Sequence, residues 1–360
     1  MSIRLAEVVL PGAALGETLA FFGEQLGFRI EAIFPADSPA VAVLSGYGIR
    51  VRLERDFQGA AGTLRLACVE PTTIANGRLE LEAPNGTLVL LVDAEPDLQL
   101  PGLVPSLVIT RLAQTQWQLG RAGMLYRDLI PDRQGGRFVA SHIRIPEGGP
   151  VPDYVHFHRV RFQMIYCYKG WVRVVYEDQG PPFVLRPGDC VLQPPEIRHR
   201  VLESSPGLEV IEVSCPAEHE TLADHELALP THVRDRKREY GDQRFVHHEL
   251  ETSPWGPWRQ PGFEARDLGF AQATRNLARA RVARRLGFAA PQPARHEGEL
   301  LFMFVLAGAL TLRCDGQRAQ QLTCGDSFVI PPGLWHELDQ CSEDLELLEL
   351  CLPADLPLSS

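Results

Sequence analysis

Four residues near the middle of the chain have the types and the spacing of a metal site. One residue separates His156 from His158, Gln163 follows five positions later, and His199 comes after a glycine-aspartate turn and a proline pair. Alternate side chains of a β-strand project to the same face, so the first two imidazoles would point together. Three imidazoles and one amide oxygen suit a first-row transition metal. The sequence therefore predicts a metalloprotein, and an enzyme.

These residues resemble the cupin superfamily, whose signatures are Gly, His-x-His, Glu and Gly, followed by Gly-Asp, Pro-x-Gly and His. Gln163 stands in the place of the usual Glu, Glu196 replaces the glycine of Pro-x-Gly, and Gly149 lies one residue further from His156 than usual. The resemblance implies a small β-barrel in which these three histidines and the glutamine hold one divalent metal. Fe(II) and Zn(II) are the first expectations, with Mn, Ni and Cu also open.

An internal repeat extends the resemblance to the second half of the chain. YKGWVRVVYE at 168–177 corresponds to LAGALTLRCD at 306–315, and LRPGDCVLQPPEIRHRV corresponds to LTCGDSFVIPPGLWHEL. The offset stays near 138 residues, which indicates a duplicated unit. We expect a bicupin with antiparallel barrels at 105–225 and 245–356. The polar, charged segment 226–244 is predicted to be a linker.

The second barrel has lost half of the ligand set. Alignment of the two repeats places Ala294 and Leu301 at two of the four positions, and only His296 and His336 remain. Two imidazoles rarely hold a metal without a third ligand, although a nearby Glu would complete a second site. We favour a barrel kept for packing and leave the second site open.

The first 97 residues carry a different pattern. ALGETLAFFGEQLGFRI has apolar residues at helical spacing, and strands are predicted before and after it. EAPNGTLVLLVDAE is typical of a hairpin that turns at Asn85-Gly86. These segments resemble the glyoxalase and bleomycin-resistance superfamily, which implies a small α+β module of βαβββ type. Its second half is expected to be truncated, because no helix fits between Leu64 and Leu81.

Three carboxylates of this module stand near the metal-ligand positions of that superfamily. They are Glu7, Glu54 and Asp93. We expect these carboxylates to be solvated and the module, at 1–97, to serve in dimerisation or as a lid. A metal site there is the alternative.

Composition narrows the class of protein. The net charge of −11 argues against nucleic-acid binding, which needs clustered Lys and Arg. No apolar run reaches the roughly 18 residues typical of a membrane span, and the N-terminus lacks the pattern of a signal peptide. The eight cysteines contain no C-x-x-C pair, so we expect free thiols in a reducing cytoplasm. A homodimer, formed through outer strands, is the expected assembly.

The neutral ligand set points to the substrate. No protein carboxylate offsets the 2+ charge, so the metal should attract a small anionic, chelating substrate that is aromatic or enolisable. Tyr154 and Arg161 are placed by strand alternation as candidates to contact it. A non-haem dioxygenase is the first interpretation, and a redox-neutral, Zn-dependent cyclase or isomerase is the second. A barrel that binds a small molecule without catalysis is the third.

Overall fold

The structure, a computed structural model, describes residues 2–356 and 358–359. It divides into two compact units, Met1–Asp97 and Leu98–Ser360. Each unit has its own hydrophobic core, and strands greatly outnumber helices in both. The predicted mainly β fold with a small α+β N-terminal module is confirmed.

The N-terminal unit begins as a βαβββ module. Its elements are β1 (Val8–Pro11), α1 (Leu15–Ala20), β2 (Arg29–Phe34), β3 (Val41–Gly46), β4 (Ile49–Glu54), β5 (Thr63–Cys68), α2 (Pro71–Ile74), β6 (Glu80–Glu82) and β7 (Leu88–Asp93). A π-helical turn at Phe21–Gln25 continues α1, and both bury apolar residues such as Leu15 and Phe22. The first sheet has the order β1-β4-β3-β2, with β1 parallel to β4.

The second half of this unit is a three-stranded sheet of order β5-β7-β6. The predicted hairpin is present: Asn85 Oδ1 accepts the N–H of Thr87 at 3.1 Å, and Gly86 has a φ of +81°. That left-handed conformation is the one that favours glycine. The expectation of no helix between Leu64 and Leu81 is wrong, because α2 forms one short turn there. Proline at the first helical position supports this turn, since its fixed φ suits a helix.

The second unit contains two β-barrels in sequence. The first repeat has β8 (Val108–Thr110), β9 (Gln118–Leu119), β10 (Leu125–Asp128), β11 (Val139–Ile145), β12 (Gly149–Pro150), β13 (His156–His158), β14 (Phe162–Lys169), β15 (Val172–Tyr176), β16 (Phe183–Leu185), β17 (Cys190–Leu192), β18 (His199–Ser204), β19 (Leu208–Cys215) and β20 (Thr221–Ala223). Two short 3₁₀ turns lie at Leu112–Gln114 and Arg121–Gly123.

The second repeat follows the same plan. After the hairpin β21 (Glu239–Tyr240) and β22 (Gln243–Arg244) come β23 (Val246–His248), β24 (Gly256–Pro257), β25 (Phe263–Asp267), α3 (Phe270–Ala273), β26 (Arg279–Arg285), β27 (Arg295–His296), β28 (Leu300–Ala307), β29 (Ala309–Cys314), β30 (Gln320–Thr323), β31 (Ser327–Ile330), β32 (His336–Asp339), β33 (Glu346–Leu352) and β34 (Leu358–Ser359). A 3₁₀ turn lies at Leu250–Thr252.

Strand pairing confirms that one unit has been duplicated. In the first barrel β14 lies between β17 and β19, and in the second β28 lies between β31 and β33. Likewise β15 lies between β16 and β18, as β29 lies between β30 and β32. One hydrophobic cluster includes side chains of both barrels, among them Phe162, Phe302 and Leu348. The two barrels therefore share a core.

The barrels also exchange their first strands. Strand β8 of the first repeat pairs with β31 of the second, and β23 of the second repeat pairs with β17 of the first. Without these partners β17 and β31 would be edge strands with unpaired N–H and C=O groups. Each barrel thus completes the sheet of the other.

Two buried arginines reinforce this exchange at equivalent places. Arg127 donates to the carbonyl of Gly325 at 2.6 Å, and Arg266 donates to the carbonyl of Gly188 at 3.2 Å. Both carbonyls belong to the Gly-Asp turns that recur in the two repeats. Burial lowers the pKa of Arg127 to about 10, so its guanidinium stays charged at neutral pH. The turns therefore hold the barrels together in addition to starting a strand.

The segment 226–244 is packed against the first barrel, although the sequence predicts a linker. The Tyr240 ring is buried and its hydroxyl donates to Glu177 O at 3.1 Å, while Arg238 forms an ion pair with Glu177 at 2.9 Å. Gln243 Nε2 donates to Arg161 O at 2.6 Å. The polar side chains that suggested a linker are used in these contacts.

The turn glycines of the repeats allow a stability test. A Cβ on Gly308 would lie 2.4 Å from Ser342 Oγ and 2.8 Å from the backbone of Leu345, at a φ of +73°. We expect Gly308→Ala to lower the free energy of unfolding by about 3 kcal/mol, measured by urea denaturation. Gly316 has a similar φ of +69° and open space around it, so Gly316→Ala should cost only about 1 kcal/mol. Equal losses would show that the contact with Ser342 is unimportant.

All eight cysteines are free thiols, as the sequence predicts. Among the residues that the structure describes, no helix combines the length and the apolar character needed to span a bilayer.

Candidate metal centre in the first barrel

Two neighbouring strands bring three histidines together. His156 and His158 share a face of β13, and β18 begins at His199, which pairs directly with His156 in the antiparallel register. Ligand atoms of the three imidazoles lie within 4.8 Å of one another. In the described part of the chain, no other three His, Cys, Asp or Glu residues bring their ligand atoms this close together.

Backbone carbonyls fix the orientation of two of these rings. Nδ1 of His156 donates to Tyr154 O at 2.8 Å, and Nδ1 of His199 donates to Ile197 O at 3.0 Å. With the proton on Nδ1, the lone pair is on Nε2, which is the nitrogen that would bind a metal. Nδ1 of His158 lies 3.1 Å from the Thr221 hydroxyl. Such outer hydrogen bonds orient metal-binding imidazoles in proteins, so the donor set fits a divalent metal.

The interior of the barrel keeps the imidazoles neutral. Burial lowers the pKa of His158 to about 3, and it holds the pKa of His199 well below the ordinary value. Burial also lowers the pKa of His156, despite hydrogen bonding to Tyr154 O. A neutral imidazole is the form that binds metal. All three rings are therefore ready to act as ligands at neutral pH.

Gln163 belongs to a chain of hydrogen bonds beside the histidines. The Tyr176 hydroxyl donates to Gln193 Oε1, Gln193 Nε2 donates to Gln163 Oε1 at 3.1 Å, and Gln163 Nε2 donates to Glu212 Oε1 at 3.1 Å. Gln193 Nε2 also lies 3.5 Å from Nε2 of His199. These hydrogen bonds direct the amide oxygen of Gln163 toward Gln193, which neighbours His199, and its amide nitrogen toward Glu212.

Glu212 is the carboxylate of this site. Enclosure by the barrel raises its pKa, and the amide of Gln163 acts in the opposite direction. In the usual cupin pattern a carboxylate stands at position 163. In this chain the carboxylate lies on β19, one hydrogen bond behind the amide, so the negative charge is displaced from the histidines.

Arg121 brings a positive charge to the other side of the histidines. Its guanidinium forms an ion pair with the buried carboxylate of Asp153. One guanidinium nitrogen lies 3.1 Å from Nε2 and 3.4 Å from Nδ1 of His156. Because Nδ1 donates to Tyr154 O, Nε2 is the nitrogen that accepts from this guanidinium. A metal bound at Nε2 would therefore take the place of the Arg121 N–H.

The histidines, Gln163 and Arg121 line a cavity of about 290 Å³ inside the barrel. The remaining wall is largely aliphatic, with Ile143, Ile165, Val174, Leu185 and Val210 among its residues. Cavities of this size hold small organic ligands. The site thus joins a polar, metal-binding end to an apolar compartment.

The two residues suggested as substrate contacts lie elsewhere. Tyr154 is 41% exposed and is outside the cavity lining, and its ring packs against the His156 ring at 6.0 Å between centroids. Arg161 precedes β14 and donates to both carboxylate oxygens of Glu299 at 2.9 Å. Glu299 belongs to the second repeat, so this arginine connects the barrels.

The second barrel does not reproduce the site. Ala294 pairs with His336 as His156 pairs with His199, which agrees with the alignment of the repeats. His296 is fully buried; its Nε2 donates to Ile330 O at 2.8 Å and its Nδ1 accepts the N–H of Gly298 at 3.1 Å. Because both nitrogens are used, His296 has no lone pair for a metal.

Four residues that line the cavity were not predicted from the sequence. They are Arg121, Gln193, Glu212 and His219. The repeat contained a signal for two of them. Positions 121 and 212 correspond to Arg259 and Glu349, which form an ion pair inside the second barrel. An Arg–Glu combination retained in both repeats indicates two inward-facing residues.

The position of Glu196 shows how the first barrel departs from the cupin pattern. Glu196 has a φ of +60°, while Gly333, its counterpart in the second repeat, has a φ of +79°. A side chain in the left-handed region costs about 1 kcal/mol or more. The turn before His199 thus keeps the backbone shape that the glycine of Pro-x-Gly normally provides.

Comparisons with known proteins agree with the architecture. Residues 287–351, in the second barrel, match the family model for the Cupin domain. A mutant of the Bacillus subtilis oxalate decarboxylase is similar at a TM-score of 0.52 and 14% identity, over 74% of this chain and 81% of that chain. The Lactobacillus farciminis oxalate decarboxylase in complex with formate is similar at 0.51 and 12%, over 72% and 89%.

A further matched structure is a Bacillus subtilis oxalate decarboxylase studied for the fine structure of its Mn(II) centres. It has a TM-score of 0.51 and 14% identity, over 74% of this chain and 81% of that chain. No curated protein matches the chain. Residues 287–351 thus match a cupin domain, and the two-barrel fold is similar to that of the bicupin oxalate decarboxylases.

Proposed function

We propose that the first barrel binds one divalent transition metal and is the active site of an enzyme for a small anionic substrate. The observation that carries the proposal is the gathering of three neutral imidazoles, two of which have Nδ1 bound to a backbone carbonyl. His156, His158 and His199 would hold the metal, with the Gln163 oxygen as the fourth ligand. Fe(II) and Zn(II) suit nitrogen-rich sites, and the similarity to a Mn(II) protein adds Mn(II).

The charges around the cavity support an anionic substrate. The three imidazoles and the amide are neutral ligands, so the 2+ charge of a bound metal would be uncompensated by them. Arg121 lines the cavity beside His156, with its guanidinium paired to Asp153. An enolate, phenolate or carboxylate would meet the metal and the N–H groups of this guanidinium.

The apolar wall of the cavity restricts the body of the substrate. Aliphatic side chains from six strands line the cavity, so a substrate consisting of carboxylates alone would leave them in contact with water. An aromatic or enolisable molecule with one anionic, chelating end would fill both parts. We therefore propose such a compound as the substrate class.

We propose dioxygenase chemistry for this substrate. A divalent metal in the site supplies Lewis acidity and, if it is Fe(II), reactivity toward dioxygen. Arg121 orients the anionic end, and the aliphatic wall excludes water. His156, His158, His199 and Gln163 would hold the metal, and the substrate would approach it from the cavity.

A redox-neutral reaction, such as cyclisation or isomerisation, is the second candidate. The arrangement of His219 favours it. Nδ1 of His219 donates to Pro216 O at 3.0 Å, which leaves Nε2 as an acceptor, and the ring lies in the cavity wall 5.4 Å from the His158 ring. A base at this place is suited to move a proton on a bound substrate.

Binding of 4-nitrocatechol, a chelating phenol whose visible spectrum changes on ionisation, tests the anion-binding site. We expect the metal-loaded protein to bind this probe in a 1:1 complex. Arg121→Met should weaken binding about tenfold, because it removes the cation beside the probe. Arg173→Met, which removes an exposed cation paired with Glu203 on the outside of the barrel, should leave it unchanged. Equal affinity in the two variants would contradict the assigned place of Arg121.

Oxygen uptake separates the candidate reactions. Protein loaded with Fe(II) is expected to consume dioxygen when aromatic or enolisable acids are added, and protein loaded with Zn(II) is not. Turnover by the Zn(II) form without oxygen uptake would favour the cyclase or isomerase. Binding without turnover by any metal form would favour a small-molecule-binding barrel.

For the N-terminal unit we propose a glyoxalase-like module without a metal of its own. Its βαβββ order supports the likeness. Glu7 is held by Arg50 at 3.3 Å, Glu54 by Arg52, and Asp93 accepts the N–H of Glu95 at 2.9 Å. These carboxylates already have partners, so a total of one metal per chain is expected.

A further inference from the structure

A second cavity, of about 480 Å³, lies outside the metal-binding compartment of the first barrel. Strand β16, strand β23 and the segment 226–244 form its walls. Its lining includes Gln179, Phe183, Arg234, Arg236, His247 and Glu249. We call it the Gln179 cavity.

Two shielded nitrogen atoms in this wall have no hydrogen-bond partner. Gln179 is only 8% exposed and its Nε2 has no hydrogen-bond partner, although the Tyr240 hydroxyl, which donates to Glu177 O, is a neighbour. Nε2 of His247 is likewise out of solvent and without a partner. A shielded polar group that lacks a partner is unfavourable, because it has lost its water without gaining another hydrogen bond. Both side chains face the same cavity, so one ligand can contact both.

Two arginines stand at the rim without an acidic partner. Within the described residues, neither Arg234 nor Arg236 forms an ion pair or a side-chain hydrogen bond, whereas the next arginine, Arg238, is paired with Glu177 and Asp178. Arg234 lies across the backbone at Gly180, where an added Cβ would be 3.2 Å from its Nε. The chain has 46 acidic and 35 basic residues, so two neighbouring unpaired arginines are a local positive site.

The rest of the wall is flat and apolar. The His247 ring stacks on the Phe183 ring with 4.1 Å between centroids and 27° between planes, and Phe245 adjoins them at 6.3 Å from Phe183. Glu249 contributes one negative charge, which leaves the wall with a net charge of +1 when counted with the two arginines. The volume exceeds what a bare inorganic anion needs, so there is space for an organic body beside the aromatic rings.

We propose that the Gln179 cavity binds an organic phosphate, with the phosphate between Arg234 and Arg236 and the organic part against Phe183. Guanidinium groups, the Gln179 amide and His247 Nε2 supply donors from several directions, which suits the three terminal oxygens of a phosphate monoester. A planar carboxylate has two oxygens and uses fewer of these donors. This site needs no metal and is independent of the reaction in the first barrel.

Isothermal titration calorimetry with phenyl phosphate tests this inference on the full chain. One equivalent should bind to the wild type, and Arg234→Gln/Arg236→Gln should weaken binding at least about tenfold. Arg318→Gln, which removes an exposed arginine of the second barrel, should change the dissociation constant less than about twofold. His158→Ala should also retain binding, which separates this site from the metal centre. Both arginines are exposed, so the double variant should fold normally.

Three results would overturn the proposal. The first is an absence of binding to the wild type. The second is loss of binding in His158→Ala together with retention in the double arginine variant, which would place phenyl phosphate in the metal compartment. The third is binding of benzoate as tight as that of phenyl phosphate, which would make the cavity a carboxylate site.

Discussion

Protein purified without added metal is expected to contain about one equivalent of a divalent transition metal, and His158→Ala is expected to contain almost none. The three imidazoles that would hold the metal lie within 4.8 Å of one another, and His158 is one of them. Loss of an outer hydrogen-bond partner already weakens metal affinity about 10- to 100-fold, and loss of a ligand should cost more. Elemental analysis of both proteins by mass spectrometry measures the effect and identifies the metal.

Two features of this experiment make it decisive. His232→Ala removes an exposed histidine of the segment 226–244 and serves as the matched control, which should retain all of the metal. The stoichiometry tests the second barrel, where both nitrogens of His296 are occupied by protein groups. Two equivalents in the wild type, or one equivalent retained by His158→Ala, would refute the assignment of the site.

Gln163→Glu is expected to destabilise the metal-free protein by about 2–3 kcal/mol at pH 8. Gln163 Nε2 donates to Glu212 at 3.1 Å, so the substitution replaces a donor by a second carboxylate at hydrogen-bond distance. Enclosure already raises the pKa of Glu212, and a neighbouring carboxylate raises it further. An acid whose pKa is raised by folding favours the folded state at low pH and disfavours it as pH rises through the raised value. The deficit should therefore be small at pH 5 and grow toward pH 8.

An exchange of the two groups provides the control. Gln163→Glu combined with Glu212→Gln keeps the number of charges and restores an amide donor beside the carboxylate. We expect urea denaturation to show that this double variant recovers most of the lost free energy of unfolding. The metal-loaded double variant then reports whether catalysis needs a neutral ligand at position 163. A single Gln163→Glu variant as stable as the wild type at pH 8 would show that the two carboxylates share no unfavourable charge.

The duplicated two-barrel architecture could be predicted from the sequence. A repeat near 138 residues, with Gly188 and Gly325 in matching turns, predicted two related units, and the strand pairing of β14 and β28 bears this out. The histidines were predictable because strand alternation and a turn before His199 determine where they point. Such signals are local, since each depends on residues that are close in sequence.

Long-range contacts were not predictable in the same way. Arg121 lies 35 residues before His156, and its approach to that ring depends on how a short 3₁₀ turn sits at the end of the barrel. Arg161 was expected to face the substrate because it alternates with Gln163, but Glu299 of the other repeat holds it outside the cavity. Neither contact has a sequence pattern of its own. The strand exchange was also missed, because main-chain pairing depends little on side-chain type.

That exchange makes the duplicated chain a closed assembly. A fragment with the first repeat alone would present β17 as a bare edge and β8 as an unpaired strand, because their partners in the intact chain are β23 and β31, respectively. Two copies of such a fragment have the surfaces needed to pair across a two-fold axis, and further copies could add in an open, non-closing array. Because both repeats are in one chain, each of these edge strands always has one partner strand. This pairing protects the edges from aggregation.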